Sequence, residues 1–350
     1  MPRRSSTQVG SAYLAAMASF IACFLGVSLA RAADNWSDPH PGIRHLYRTT
    51  NTPWRIHALV VDLCADGIAM RATKSGERQR TVSSFGNLVS AQAAVNGDFF
   101  DYADYSTSGL AVGNGSPWSD TADTTGSGLV AFGDDRVLFS PPADVVDPPP
   151  AWMRQVVSGH PRLVTAGVPM STNSSEFCST RHPRTAVGFS RDRRTLFLAV
   201  VDGRSQISVG MQCTELADLM DGLGAWDALN LDGGGSTTMW IEGDGVVNVP
   251  SDGAQRVVAN HLAVLASGSG DPGSCDRSIE EATHQGDAYE ASLTSDVDGD
   301  GRADLCARAA AGWRCHLADG AGFSTQVPGP ELSNDLGWND EARWTTIRGN

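Results

Sequence analysis

The chain has 350 residues, with 26 Lys and Arg against 40 Asp and Glu and a formal net charge of −14. Its length holds one large domain or two smaller ones, and its acidity argues against nucleic acid or an anionic membrane surface as a partner. Lys74 is the single lysine, so a Walker-type Gly-Lys-Ser/Thr loop is excluded and Arg, suited to fixed contacts with phosphate or carboxylate, carries nearly all the positive charge.

Residues 1–32 carry Arg3 and Arg4, an apolar stretch over 12–30, and Ala30-Arg31-Ala32 in a small-x-small arrangement. They read as an export signal, which makes the protein secreted, periplasmic or cell-surface with no membrane association after cleavage; an uncleaved anchor is the alternative. Loss of Arg3, Arg4 and Arg31 takes the charge from −14 to −17. Of the seven cysteines, Cys23 lies in this segment. The other six suggest disulfides in an oxidising compartment, paired Cys306–Cys315, Cys178–Cys213 and Cys64–Cys275. No C-x-x-C pair supports a zinc site.

From Pro53 to about Ala266 short β-rich runs (55–62, 128–132, 196–201, 228–231 and 257–265) alternate with occasional helical stretches. This predicts an α+β domain, a mixed β-sheet with flanking helices, over 33–266. The clearest helix spans 214–223, with Leu216, Leu219, Met220 and Leu223 on one face, Thr214 as N-cap and Gly222 or Gly224 as stop. Polar clusters fall at predicted strand ends. Asn96 and Asp98 sit at alternate positions and can share a cleft. Arg181-His182-Pro183-Arg184 precedes a strand, Asp202-Gly203-Arg204 ends another, and Asp252 leads to Arg256 and then Asn260-His261.

Asn230-Leu231-Asp232-Gly233-Gly234-Gly235-Ser236-Thr237-Thr238 carries the strongest signal. It places a carboxylate at the end of an apolar strand and then three glycines, which without Cβ atoms can turn successive N–H groups toward one anion. The β-branched and aromatic run 237–241 that follows makes the glycines a strand-to-strand turn, not the opening of a helix.

Ser267-Gly268-Ser269-Gly270-Asp271-Pro272-Gly273 has linker composition, and 267–287 is read as a linker. Beyond it, alternating carboxylates at Asp296, Asp298, Asp300 and Asp304, spaced by glycines, suit a hard cation such as Ca²⁺, with Arg302 among the ligand positions because part of the shell comes from backbone carbonyls. An acidic solvated loop is the alternative. This D-x-D-G-D-G-x-x-D loop resembles an FG-GAP or VCBS repeat, which implies a small calcium-loop β unit over 288–350 following the main domain, a single blade that by itself cannot close a propeller.

In the main domain, Asn96-Gly97-Asp98-Phe99-Phe100, Arg184-Thr185-Ala186-Val187-Gly188, Val201-Asp202-Gly203-Arg204 and Leu231-Asp232-Gly233-Gly234-Gly235-Ser236 resemble, in consistent order over 43–266, the phosphodiester glycosidase domain family. The resemblance implies hydrolysis of a sugar-1-phosphodiester, of the N-acetylglucosamine-1-phosphodiester type, in a phosphorylated glycan or exopolysaccharide. Such chemistry passes through an oxocarbenium-like state and ordinarily uses two carboxylates. Asp232 is expected as nucleophile or general base, His182 as proton donor, Asp202 as second carboxylate or as a group orienting Arg184, and Asp98 as a further catalytic position. Arg184 and the Gly233, Gly234 and Gly235 turn are expected to take the phosphate, with Asn96, Arg204, Asn230, Ser236, Asp252, Arg256 and His261 around the substrate. Two other readings compete: a non-catalytic protein that binds anionic glycans, and a phosphodiesterase that cleaves P–O with a metal held by Asp98, Asp202, Asp232 and His261.

Overall fold

The computed structural model describes residues 33–134, 136–140 and 145–271, together with the backbone of the strands Ser278–Ile279, Leu305–Ala309, Gly312–Ala318 and Phe323–Pro328. The export signal, the loop 296–304 and most of the expected repeat unit lie outside the described residues.

Three sheets share one core. The largest has eight strands in the order Ala33–His40, Ile43–Thr49, Arg55–Asp62, Thr195–Val201, Arg184–Phe189, Asp227–Asn230, Arg162–Thr165 and Val168–Pro169. A five-stranded sheet runs Gly245–Val246, Met239–Ile241, Ala93–Asn96, His261–Ala266 and Ile68–Ala72, and a six-stranded one is built on Arg136–Ser140, Gly128–Phe132 and Gln155–Gly159. Leu59, Val187, Leu198 and Leu229 of the first sheet meet Val95, Met239 and Leu262 of the second and Val130, Phe132 and Val157 of the third in a single buried cluster. The opposite face of the large sheet is covered by the helix Cys213–Leu223, whose Leu216, Ala217 and Met220 pack on Ala186, Ala199 and Ala228. Burial on both faces explains why the central strands read as unbroken apolar runs.

The strand ladders within the main domain are antiparallel, and helices are few: Val82–Leu88, Glu176–Ser179 and Cys213–Leu223 among the described residues. The expected mixed sheet with flanking helices is therefore corrected to a mostly β architecture. Strands Arg55–Asp62 and Gly128–Phe132 fall where the sequence placed them, whereas 257–265 shrinks to His261–Ala266. The helix is capped two residues earlier than expected. Gln212 is its N-cap, with Glu215 reaching back to the Gln212 N–H, and Gly224 ends it at φ +103°, a conformation that favours glycine.

Cys178 and Cys213 form a disulfide that ties the start of this helix to the helix Glu176–Ser179. Cys64 is also disulfide-bonded, while its expected partner Cys275 lies outside the described residues. Cys306 and Cys315 occupy directly opposite register positions on adjacent strands, as the expected pairing requires. The first part of the expected linker is pinned to the main domain. Ser267 N–H donates to the Gly67 carbonyl, Gly270 N–H to Asp66 O, and the Ser269 N–H to the Asp66 carboxylate at 3.1 Å.

Candidate active site

Sheet register creates the site. Ala186 pairs with Asn230 across the antiparallel strands Arg184–Phe189 and Asp227–Asn230, so continuing the ladder by two residues sets Arg184 opposite Asp232. The ladder does continue: Leu231 N–H donates to Thr185 O at 2.8 Å, and Gly234 N–H to Pro183 O at 2.9 Å. Arg184 and Asp232 line a cavity of about 180 Å³ with Phe177, His182, Arg204, Arg256 and the three glycines. Such a volume suits a phosphate with the adjoining part of a sugar, below the usual range for a drug-sized ligand.

The glycines form one turn of 3₁₀ helix, Gly234–Ser236, and each sits where a side chain would collide. A Cβ on Gly233 would lie 2.7 Å from Pro183 O, and one on Gly235 2.0 Å from both Arg256 Nη2 and Asp252 Oδ2. Gly234 has φ +59°. The turn is not the open anion cradle the sequence suggested. Gly233 N–H donates to Asp232 Oδ1 at 2.8 Å, Gly234 N–H to Pro183 O and Ser236 N–H to Gly233 O, which leaves only the Gly235 N–H uncommitted among the described residues.

Asp232 is half-buried and accepts from the Gly233 N–H and the Ser236 hydroxyl. Burial outweighs these bonds and the nearby Arg256, and pushes its carboxyl up to about 6. Arg184 is fully buried. Its Nε donates to Met211 O at 2.9 Å and its Nη2 to Phe177 O at 2.6 Å and Thr180 O at 3.0 Å, with the guanidinium 4.4 Å over the Phe177 ring. Among the described residues it has no ion-pair partner, its Nη1 has no hydrogen-bond partner, and desolvation lowers it to about 10. The expected free bidentate fork is thus corrected to a single unpaired nitrogen, itself buried.

The other two cavity arginines are held loosely or in part. Arg256 donates from Nε and Nη2 to Asp252 Oδ2 and from Nη1 to Tyr102 Oη at 2.5 Å and Ser236 Oγ at 3.3 Å. Among the described residues Arg204 reaches only Ser251 Oγ at 3.4 Å and Asp252 Oδ1 at 4.0 Å. Desolvation, and then Arg184 and Arg204, hold the His182 imidazole below its ordinary value. That shift disfavours the charged imidazolium, and His182, expected as a proton donor, stands among the residues that line the cavity.

Four expected site residues stand elsewhere. Asp202 pairs by register with the far face, one residue beyond Val201, which is the partner of Arg184; its Oδ1 accepts from Asn248 Nδ2 at 3.1 Å and Val249 N–H at 2.9 Å. It neither lines the cavity nor orients Arg184, and burial raises its carboxyl. Asp98 is buried, raised well above the ordinary range by desolvation, and accepts from Asn260 Nδ2 at 3.0 Å. His261 is buried against Phe85, with Nδ1 at 2.8 Å from Thr73 Oγ1 and Nε2 at 3.0 Å from Arg80 O, and desolvation lowers it to about 3. Asn230 is buried and donates to His160 O at 2.7 Å.

Asn96 positions the site without facing it. It is fully buried, donates to Asp232 O at 2.6 Å and accepts from Thr185 Oγ1 and Thr238 N–H, so one amide ties three segments that converge on the turn. Among the described residues no three His, Cys, Asp or Glu side chains are grouped to hold a metal ion, and the expected set Asp98, Asp202, Asp232 and His261 is dispersed. The expected Ca²⁺ positions Asp296, Asp298, Asp300, Arg302 and Asp304 lie outside the described residues. Phe177 and Tyr102 are neighbours of the cavity that the sequence reading missed; only proximity to Cys178 and to the Asp98-Phe99-Phe100-Asp101 run hinted at them.

A family model described as phosphodiester glycosidase matches residues 90–265, half of the chain and all of the glycine turn. The chain belongs to the phosphodiester glycosidase family. Its fold is similar to the catalytic domain of zebrafish N-acetylglucosamine-1-phosphodiester alpha-N-acetylglucosaminidase, auto-inhibited by its pro-peptide, at TM-score 0.52 and 19% identity over 67% of this chain and 81% of that one. A hypothetical protein from Synechocystis is similar at TM-score 0.51 and 16% identity, over 68% of this chain and 64% of the other. The SPbeta prophage-derived uncharacterized protein YomE of Bacillus subtilis (strain 168) is 38% identical over 86 residues, 25% of this chain and 13% of that relative's length. Family membership supports a hydrolase of glycosidase type. No helix among the described residues is long and apolar enough to cross a membrane.

Proposed function

We propose that the protein is an exported hydrolase that cleaves the glycosidic bond of sugar-1-phosphodiesters, of the N-acetylglucosamine-1-phosphodiester type, in a phosphorylated glycan or exopolysaccharide. The observation that carries this reading is Arg184: a guanidinium buried without a carboxylate partner, with Nη1 unpaired, beside the one carboxylate that lines the same cavity. An uncompensated buried cation is costly unless something meets it, and an anionic ligand does so. Arg204 and the Gly235 N–H add donors on the same cavity wall, in a protein that is otherwise strongly acidic.

Hydrolysis breaks the bond between C1 and the phosphate oxygen, and the bonding electrons leave with that oxygen. Asp232 acts at C1, as nucleophile or as base on the attacking water; both roles need the ionised carboxylate, and its raised pKa strengthens it as a base. Water supplies the oxygen that ends on C1, and its proton passes to solvent by way of Asp232 or His182. Protonation of the leaving oxygen is dispensable because a phosphate monoester departs readily, and the arginines take up the charge that develops on it. One cavity carboxylate therefore suffices where ordinary glycosides call for two.

Release of free sugar from a panel of sugar-1-phosphodiesters, measured by product analysis, tests the reading. Turnover of at least one member is expected. Saturable binding of the panel with no release from any member would replace the hydrolase with a glycan-binding protein.

A further inference from the structure

Arg184 is held by three backbone carbonyls from two separate stretches of chain. Phe177 O and Thr180 O accept from its Nη2, and Met211 O accepts from its Nε. None of the three is a charge that would draw the guanidinium back if it moved. Where Arg184 stands in the cavity wall therefore depends on where the two stretches stand.

The stretch that supplies Phe177 and Thr180 has little of its own to hold it. Over 171–181 Cys178 is the one buried residue; Asn173 and Phe177 are half-buried and the rest are exposed. The helix Glu176–Ser179 is a single turn of four residues, too short to be stable by itself. Asn173 exchanges bonds with Thr214, and His182 forms a backbone bridge with Met211, but these ties lie toward the two ends of the stretch. The Gln212 amide on Ser179 O and the Arg181–Glu215 pair are surface contacts, which hold weakly. The disulfide Cys178–Cys213 ties the middle. One of its cysteines stands between Phe177 and Thr180, and the other is two residues beyond Met211, so the bond joins the two sources of the cradle.

A disulfide that serves stability alone need not stand there. Cys64 forms one at the other end of the same sheet: Asp62 pairs with Thr195, whereas Arg184 pairs with Val201, six residues further along that strand, or about 20 Å. We propose that Cys178 and Cys213 are positioning residues of the anion site, whose disulfide fixes the three-carbonyl cradle of Arg184 and makes phosphate capture depend on that bond. This rests on the reading of Arg184 as the phosphate-binding group. The bond forms when the two thiols lose two protons and two electrons to an oxidised disulfide, which leaves as two thiols. An oxidising compartment thus completes the site as well as the fold.

Binding tests this without relying on turnover. The affinity for inorganic phosphate is measured by calorimetry, well below the unfolding temperature, for the full-length protein, for Cys178→Ser/Cys213→Ser, for Cys178→Ala/Cys213→Val and for Cys64→Ala. The alanine–valine pair keeps the buried space filled and carries the comparison where the serine pair does not fold. Each change should lower thermal stability. The variants at 178 and 213 should also bind phosphate about tenfold more weakly, while Cys64→Ala stays within about twofold of wild type. Unchanged phosphate affinity in a folded variant at 178 and 213, or an equal loss in Cys64→Ala, overturns the proposal and leaves the bond a role in stability alone. No phosphate binding by the wild type overturns the reading of Arg184, and the proposal with it. Absence of hydrolysis alters none of these affinities and counts against the hydrolase reading alone.

Discussion

The strand Asp227–Asn230 carries a buried carboxylate at its start and leads to a second at Asp232, and the two ends have opposite electrostatics. Asp227, its side chain only 4% exposed, is closed off by Arg162 and by Arg193 at 2.6 Å, and accepts from the Ala166 N–H as well. Burial there raises the carboxyl, but the two guanidinium groups outweigh it and the net shift is downward. At the other end, Asp232 has no ion pair among the described residues and is shifted up to about 6, while Arg184 is buried across from it and shifted down to about 10. Charges of both signs that are each held away from their preferred state mark a site waiting for a ligand; charges that satisfy each other mark structure. The same residue types, five positions apart, divide into scaffold and chemistry by what faces them.

The sharpest way to break this comparison is to neutralise each acid in turn. Asp232→Asn should cost on the order of 10³-fold or more in kcat with no loss of thermal stability. Asp227→Asn should do the reverse, leaving two buried guanidinium groups uncompensated and destabilising the fold by about 3–5 kcal/mol in denaturant melts, with kcat of the folded fraction within about threefold of wild type. If the two variants lose activity and stability in parallel, the division between scaffold and site is false.

A smaller effect is expected from Gly235→Ala. The added methyl would lie 2.0 Å from Arg256 Nη2 and Asp252 Oδ2, and both belong to partly exposed side chains that can swing aside. Stability should fall by about 1 kcal/mol or less, while displacement of Arg256 should lower kcat/KM by roughly tenfold to a hundredfold. Wild-type kinetics in this variant would show that the Arg256–Asp252 pair plays no part in substrate capture.

The mildest distinction is in pH. A folded-state pKa raised above the unfolded value means that the ionised Asp232 opposes folding: its contribution is fully favourable below about pH 4 and is lost as pH rises through about 6. Asp232→Asn should therefore raise Tm at pH 8 and leave it unchanged at pH 4. Asp227, shifted downward, contributes stability above about pH 4 that is lost as pH falls through its folded value, so the wild type itself should lose stability in that acidic range. A Tm gain for Asp232→Asn of the same size at both pH values would remove the raised carboxyl from the account.

Much of the scaffold was legible because apolar runs buried on both faces, such as Arg55–Asp62 and Gly128–Phe132, have one structural solution, and because the glycine turn is both a steric and a chemical signal. Asp232 was picked out by that turn, whereas the Cys178–Cys213 pair came from the even number of cysteines in a chain read as exported. The neighbourhood was harder to read. Asp98, Asn260 and His261 have the composition of a site, yet in the interior they bond to one another and to a nearby carbonyl, with Asp98 Oδ2 left unpaired among the described residues, and a one-dimensional pattern does not separate an enclosed polar network from an open one. Asp202 failed for a geometric reason, since one residue along a strand reverses the face. Arg184 was named, but the three backbone carbonyls that occupy its Nε and Nη2 come from Phe177, Thr180 and Met211, contacts that only the folded chain reveals. Asp227 carried no signal at all, since both its arginine partners are remote in sequence.

The central claim is that Asp232 acts at the sugar carbon while Arg184 and its neighbours hold the phosphate, so the decisive measurement is hydrolysis of a sugar-1-phosphodiester in ¹⁸O-labelled water, with mass analysis of both products. The account predicts label in the hydroxyl at C1 of the released sugar and none in the phosphate monoester. Label in the phosphate would mean that the P–O bond is cut, and would contradict it.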